Sequence, residues 1–217
     1  MHGYLSSKEA FLAQIEYFSR FYKVTAIDFL GFGQSGELKA PFSVSDYARW
    51  LKDILKKLNI EKPHILAHSF GCRVAVTAGQ LYPNIFDKIV LTGPAGIILP
   101  RTLRYKSKVK VYKIVKKIAP KWAEKHFGSK EYRGLSPIMK ESYKKIVNED
   151  LRDRAKEVFN PVLIVEGEED TVTTLQEAEI YLHSFPNANL RVMQGGHFAF
   201  AQFPIAFNLT VEEFLYE

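Results

Sequence analysis

The chain contains little cysteine and no long apolar run. Cys72 is the single cysteine among 217 residues, so an internal disulfide is excluded, which fits a reducing compartment. No apolar run reaches the roughly 18 residues that a membrane-spanning helix needs. The first ten residues, MHGYLSSKEA, lack the basic and apolar regions of a signal peptide. We therefore expect a cytoplasmic protein.

Acidic residues are scarce in one segment. Residues 101–133 contain twelve Lys or Arg and only two Asp or Glu, a net charge of +10, whereas the whole chain carries +6. The rest of the chain is therefore acidic on balance. With 47% hydrophobic and 25% charged residues, the composition is otherwise that of a globular protein long enough to bury a core without disulfides.

Short apolar runs alternate with helical patterns along most of the chain. Runs rich in Val, Ile and Leu without strict polar alternation are typical of buried parallel strands, and they predict strands at 23–29, 64–69, 88–93, 162–167 and 190–195. Helical periodicity predicts helices at 7–20, 43–58, 70–82, 174–184 and 204–216. This alternation predicts an α/β protein with a mainly parallel sheet flanked by helices.

The alternation stops between residues 97 and 158. The pattern there is helical, is punctuated by prolines and glycines, and contains no predicted strand. We therefore expect a discontinuous core domain, residues 1–96 and 159–217, and a helical lid formed by residues 97–158.

A polar pair interrupts the apolar stretch HILAHSFGCRVAV (64–76). Residues 67–71, AHSFG, match the G-x-S-x-G pattern with alanine in the first place, between a predicted strand and a predicted helix. Small residues flank such a serine because the turn is strained and crowded. The turn would place the oxygen of Ser69 where backbone N–H groups at the helix start can stabilise an oxyanion. Taken alone, the pattern also fits a polar strand end that caps a helix.

Two further strand ends supply the partners that a nucleophilic serine needs. His197 follows the last predicted strand behind two glycines, and Asp170 follows the strand 162–167, with Glu168 and Glu169 beside it as alternative acids. A serine hydroxyl is a weak nucleophile unless a base accepts its proton, and an acid can orient that base. The chain order serine, acid, histidine is the one expected of an α/β-hydrolase.

Together these motifs resemble the α/β-hydrolase fold superfamily, in the branch of serine hydrolases with a helical lid. MHGYLSS is similar to the family's His-Gly oxyanion turn and DFLGFGQSG to its Asp-x-x-Gly-x-Gly-x-Ser loop. AHSFG, VEGEED and GGHF are similar to its elbow, acid turn and histidine turn. The resemblance covers nearly the whole chain, and it implies an acyl-serine mechanism that needs no cofactor and acts on a small-molecule acyl substrate.

The resemblance implies a role for each matching residue. Ser69 would be the nucleophile, His197 the general base and Asp170 its orienting partner. The oxyanion donors would be the backbone N–H groups of Phe70 and Tyr4, or of Leu5 in place of Tyr4.

We expect hydrolysis of a carboxylic ester or a related acyl bond. The C–C bond hydrolases of the same family share the Ser-Asp-His triad and stay as the alternative. Many of them carry tryptophan after the histidine, whereas this chain has Phe198.

The chain departs from the family pattern at its N-terminal end. The family's His-Gly turn follows a central strand that is preceded by two others, whereas Met1 directly precedes His2 here. The strand expected between 23–29 and 64–69 is therefore missing, together with its two neighbours. Either the strand 23–29 pairs directly with 64–69, or the chain is a fragment of a longer protein, and we expect the second. A truncated, non-catalytic relative is the hypothesis from a different functional class.

Other patterns indicate little. Residues 31–36 are a literal G-x-G-x-x-G, but no helix begins at these glycines, so we do not expect dinucleotide binding. The six histidines form no helical pair with an acid between them, and we expect no metal. The basic stretch 101–125 predicts an amphipathic lid helix with a solvated lysine face. A weak contact with an anionic surface is the second interpretation, and nucleic-acid binding is not expected.

Overall fold

The computed structural model describes residues 1–100 and 130–216, and these residues form an α/β fold. The strands are β1 (Ile65–His68), β2 (Ile89–Thr92), β3 (Val162–Gly167) and β4 (Ala188–Met193). A 3₁₀ turn, Lys8–Phe11, leads into α1 (Leu12–Phe18), and the other helices are α2 (Val44–Lys57), α3 (Phe70–Leu81), α4 (Lys130–Gly134), α5 (Pro137–Val147), α6 (Arg152–Ala155), α7 (Leu175–Ser184), α8 (Ala199–Gln202) and α9 (Pro204–Tyr216). The predicted α/β class is confirmed.

The four strands form one parallel sheet in the order β1-β2-β3-β4. Ile89 of β2 lies opposite Ile65 on one side and Val162 on the other. Every residue of β2 and β3 is buried, which explains why these strands are mostly apolar and do not alternate. Because the strands are parallel, their carboxyl ends meet at one edge of the sheet.

Helices cover both faces of the sheet. On one face, Val90, Leu163 and Val165 pack against the aromatic residues of α1 and α9, including Phe18 and Phe207. On the other face, alternate residues of the same strands pack against α2, α3 and α7. The start of α2 is stabilised by a capping box in which Ser43 and Asp46 bond each other's backbone N–H groups.

The predicted strand at residues 23–29 is wrong. The segment is extended, but no backbone hydrogen bond joins residues 23–27 to any other residue that the structure describes. The alternative in which this segment pairs directly with residues 64–69 is wrong for the same reason. The backbone groups of Leu66 and His68 point away from β2 and bond to Met1 instead. The Met1 amine donates to Leu66 O (2.6 Å), and the Met1 carbonyl accepts from His68 N–H (3.0 Å). Within the described ranges, no strand precedes β1.

A groove of about 500 Å³ separates residues 23–27 from β1. Its walls are mostly apolar and include Val24, Ile27, Leu55, Leu66 and Val211. We call it the β1 groove. Residues 23–27 are mostly apolar and extended, which is why the sequence pattern predicted a strand there. The edge of β1 lies across the groove from them, but a strand forms only when a partner lies within hydrogen-bonding distance.

The last strand begins and ends two residues earlier than predicted. β4 covers Ala188–Met193, and Gly195 has φ +114°, a left-handed conformation that breaks the ladder. The glycine therefore belongs to the turn that leads to His197.

The segment between β2 and β3 is helical where the structure describes it. Residues 130–158 contain α4, α5 and α6, and no strand. The lid over residues 97–158 and the basic helix over 101–125 are predictions that fall largely on residues 101–129, which lie outside the described residues. None of the helices in the described part of the chain is long and apolar enough to cross a membrane.

Candidate active site

The polar pair His68-Ser69 lies at a strained turn between β1 and α3. Ser69 has φ +51° and ψ −109°, a conformation that non-glycine residues rarely adopt. Its N–H donates to Thr92 O (3.1 Å), which fixes the turn to the end of β2. The strain lifts one partly exposed serine to the carboxyl edge of the sheet, as the motif predicts.

Gly71 is small because the N-terminal residues cross the first turn of α3. A Cβ at this position would lie 2.5 Å from Met1 O and 2.9 Å from His2 O, so only glycine lets the two backbones approach. Cys72, next in the helix, is fully buried and directs its thiol at Ala67 O (3.2 Å). Burial raises the pKa of the Cys72 thiol, so this residue packs as a small apolar side chain.

Asp170 and His197 are joined by a hydrogen bond of 2.7 Å between Asp170 Oδ2 and His197 Nδ1. Burial opposes ionisation of the carboxyl, but the bond from His197 and the N–H groups of Val172 and Thr173 hold the pKa of Asp170 well below its ordinary value. An ionised carboxylate only accepts, so the Nδ1 atom carries the hydrogen and Nε2 keeps its lone pair. This is the tautomer that a general base needs.

The structure also distinguishes Asp170 from the two neighbouring acids by burial. Glu168 and Glu169 are exposed, whereas Asp170 is buried. Their backbone N–H groups donate to Met193 O and Gly195 O, each at 2.9 Å, and these two bonds tie the loop after β3 to the loop after β4. The acid and histidine turns are therefore one hydrogen-bonded unit.

Two residues of this unit were missed by the sequence analysis. Thr173 Oγ1 donates to Asp170 Oδ2 (2.9 Å) and lies 3.1 Å from His197 Nδ1. Glu166, the residue of strand β3 before Gly167, is fully buried beside Asp170. An acid inside an otherwise apolar strand was the signal that would have drawn attention to Glu166.

His68 links the elbow to the histidine loop. Its ring is buried, packs against the rings of His197 and Phe200, and meets His197 O through Nε2 at 2.9 Å. Burial, followed by the proximity of His197, lowers the pKa of His68 to about 3. The imidazole is therefore neutral near pH 7, and its Nε2–H donates to the carbonyl of His197.

The candidate oxyanion donors lie at the other side of the elbow. The Tyr4 and Phe70 rings are in edge contact, with centroids 5.5 Å apart. The backbone N–H groups of both residues have no acceptor among the described residues. Gly3 approaches the elbow closely, since a Cβ there would lie 3.0 Å from His68 Nδ1 and 3.4 Å from Ser69 Cβ.

A charged cluster holds this N-terminal turn. His2 is buried; its Nε2 accepts from Phe29 N–H (3.0 Å), while its Nδ1 donates to Gly3 O (2.7 Å). Asp28 accepts from Lys8 Nζ (2.8 Å) and from Gln34 N–H (2.9 Å). Although burial opposes its ionisation, these bonds lower the pKa of Asp28 to about 2. The glycine-rich loop therefore serves as a support for the turn.

The predicted site residues come together in two groups. Asp170 and His197 are hydrogen-bonded, and Tyr4 and Phe70 are in contact across the elbow. Among the hydrogen bonds of the described residues, none joins Ser69 Oγ to His197. Side chains of the described residues form no cluster of His, Cys, Asp and Glu that could hold a metal ion.

Known proteins match the chain at low identity. An uncharacterised protein of Mycobacterium tuberculosis is 37% identical over 76 residues, which are 35% of this chain and 22% of that protein. The chain thus spans less than a quarter of the length of the first curated relatives it matches. The hydrolase YugF of Bacillus subtilis is 22% identical over 243 aligned positions, covering 99% of this chain and 88% of that protein.

Solved structures match over the whole chain. An esterase from Exiguobacterium antarcticum has a TM-score of 0.80 at 18% identity and covers 100% of this chain and 90% of its own. A meta-cleavage product hydrolase from Pseudomonas fluorescens IP01 has a TM-score of 0.75 at 22% identity, and the match covers 99% of this chain and 88% of that chain. At such identities these structures show the fold alone.

The family model described as the alpha/beta hydrolase fold matches residues 1–160, which include the elbow and the N-terminal turn. The parallel sheet, the strained serine between β1 and α3, and the turns that follow β3 and β4 agree with this match. The chain therefore belongs to the α/β-hydrolase fold family.

Proposed function

We propose that the protein is a serine hydrolase that cleaves a carboxylic ester or a related acyl bond through an acyl-serine intermediate. The observation that carries this proposal is the bond of 2.7 Å between Asp170 and His197 next to an elbow serine, Ser69, at φ +51°. A buried carboxylate that orients an imidazole has a direct use when the imidazole must accept a proton.

In the proposed mechanism, Ser69 Oγ attacks the carbonyl carbon of the substrate while His197 Nε2 takes the hydroxyl proton. The oxyanion that forms accepts hydrogen bonds from the N–H groups of Phe70 and Tyr4. His197 then gives the proton to the leaving group, an acyl-serine remains, and water activated by His197 releases the acid. Asp170 stabilises the imidazolium throughout. The lid of residues 97–158 would cover the acyl group.

Cleavage of a carbon–carbon bond is the second candidate function. It is supported by the likeness to the meta-cleavage product hydrolase, whose fold is nearly as similar as that of the esterase. A non-catalytic relative of the family is the third candidate, and the β1 groove is its support because it leaves one edge of the sheet unpaired. A panel of acyl esters graded by chain length, assayed beside a meta-cleavage product, separates the first two.

Covalent labelling tests the proposal most directly. The protein is treated with a fluorophosphonate probe, and the adduct is mapped by mass spectrometry. We expect a single adduct at Ser69 that is lost in Ser69→Ala and in His197→Ala.

The exposed serine of α1's C-terminal turn offers a matched control, because Ser19→Ala removes a hydroxyl far along the chain from the elbow. This variant should be labelled like the wild type. A well-folded wild type, checked by circular dichroism, that takes up no probe would contradict the proposed function.

A further inference from the structure

Glu166 is a buried acid for which the proposed mechanism has no use. It lies on β3, where every residue is buried, and its own exposed fraction is 0%. One carboxyl oxygen, Oε1, accepts the N–H of Gly167 (3.2 Å). No donor among the described residues reaches the other oxygen, Oε2. A buried acid without a cation or a second donor is costly unless it is protonated.

The neighbour of Glu166 is the carboxylate of Asp170. After burial, Asp170 is the group that acts most strongly on Glu166. Two carboxyl groups can form a hydrogen bond with each other only if one of them carries a proton. Asp170 accepts hydrogen bonds from His197, Thr173 and the N–H of Val172, all of which favour its ionised form. The proton must therefore reside on Glu166.

The groups that face Glu166 from the surrounding elements agree with this assignment. Asp170 and Glu177, at the start of α7, are both acidic, and Cys72 of α3 is a neutral thiol. No Lys or Arg of the described residues forms an ion pair or a hydrogen bond with Glu166. Burial, followed by the contact with Asp170, raises the pKa of Glu166 to about 9.

We infer that Glu166 is a positioning residue that stays protonated near neutral pH and donates a hydrogen bond to Asp170, so that the acid pair carries one negative charge behind His197. This inference rests on the proposed function. The donated bond makes Asp170 a weaker acceptor and so limits how strongly it stabilises the imidazolium.

Two substitutions separate the hydrogen bond that Glu166 donates from the charge that it would carry when ionised. Glu166→Gln keeps a donor and cannot ionise, so kcat/KM near pH 7 should stay close to that of the wild type. The fall in kcat/KM above about pH 9, where Glu166 of the wild type ionises, should disappear in this variant. Glu166→Met removes the donor, so kcat/KM should fall about tenfold. Its acidic limb should move to higher pH, because an unassisted Asp170 favours the imidazolium.

Glu169→Gln is the matched control, since Glu169 is exposed and lies three residues further along the chain, in the loop after β3. Its pH profile should match that of the wild type. If Glu166→Met does not fold, the inference is tested by the fall of kcat/KM at alkaline pH in Glu166→Gln alone. An alkaline limb in Glu166→Gln like that of the wild type, or a wild-type profile in a folded Glu166→Met, would overturn the inference.

A second measurement does not depend on catalysis. Infrared difference spectra of wild type against Glu166→Gln at pH 7 should show the carbonyl band of one protonated carboxylic acid, which titrates away near pH 9. If the band is present and no serine adduct forms, the proposed function fails while the proton on Glu166 stands. If the band is absent, Glu166 is ionised, and the inference is wrong even in an active enzyme.

Discussion

The loops after β3 and β4 and the free edge of β1 differ in how completely their polar groups are paired. At the loops, Asp170 alone accepts four hydrogen bonds, and backbone bonds tie one turn to the other. At the edge of β1, Met1 is the one described residue that bonds to the strand from that side, and the extended residues 23–27 face the β1 groove without backbone bonds.

The difference teaches what each feature requires. A turn closes on residues that are near in sequence or at the ends of paired strands, so it forms once β3 and β4 are adjacent. A strand edge needs another strand, and here two edges face each other across a gap that is too wide for direct bonds. The pair of Asp170 and His197 therefore lies where the polar groups are paired, whereas Ser69 follows β1, the strand with the free edge.

The largest expected effect is at the loops. Asp170→Asn keeps the shape but lets the imidazole adopt the wrong tautomer, so we expect kcat/KM to fall by about 10⁴-fold. The measurement is the pH dependence of ester hydrolysis and of fluorophosphonate labelling. Glu168→Gln, an exposed neighbour, should leave both unchanged. Equal effects of the two substitutions would show that the loop does not distinguish its acids.

The second prediction concerns the buried amine at the edge of β1. Burial lowers the pKa of the Met1 amine from 8.0 to about 5, so its contribution to stability is complete above pH 8 and is lost as pH falls through about 5. Acetylation of this amine keeps an N–H for Leu66 O and removes the charge. Chemical unfolding of both forms between pH 8 and 5 should show a loss of about 4 kcal/mol in the free energy of unfolding that only the free amine suffers. Parallel curves would mean that the amine is solvated.

The third prediction tests the contact that joins the two regions. Gly71→Val places side-chain atoms against Met1 O and His2 O, so we expect a loss of about 2–3 kcal/mol in the free energy of unfolding and weak labelling of Ser69. Gly79→Ala is the control in the same helix, because its Cβ would meet the Val158 side chain at 3.3 Å. It should stay within about 1 kcal/mol of the wild type. Similar losses of stability in Gly71→Val and Gly79→Ala would show that the close approach of Met1 and His2 to α3 has no special importance.

The smallest effect is expected from filling the β1 groove. An apolar, β-branched extension of about five residues joined to Met1 should pair with β1 and raise the melting temperature by several degrees. It should also slow amide exchange in residues 24–27. An extension of the same length built from proline and aspartate should do neither. Equal unfolding curves for the free and extended chains would contradict the idea that the β1 groove can accept a strand.

Much of the fold could be predicted because its signals are local. Each apolar run of β1, β2 and β3, and each helix cap, is a pattern only a few residues long. The structure confirms these elements. The pattern at residues 23–29 failed because it records a preference for extended backbone, whereas a strand exists only when a neighbour supplies hydrogen bonds. Gly195 shortened β4 through its positive φ, which composition alone does not reveal.

The candidate site was predictable to the level of turns. Ser69 and His197 each stand alone in a small-residue turn, so the sequence leaves little choice. Three adjacent acids left the choice among Glu168, Glu169 and Asp170 open, and the packing of the loop against His197 distinguishes them. Thr173 was missed because its hydroxyl becomes relevant only when the loop folds back on Asp170.

The sequence by itself determined the α/β alternation, the strained serine turn and the order of its partners, because these depend on short-range periodicity and on where small residues stand. Only the tertiary structure decided which acid meets His197, that Glu166 lies buried behind that acid, and that residues 23–27 lack a partner. Each of these depends on which strands are neighbours in the sheet, since that sets the distances between groups that lie far apart along the chain.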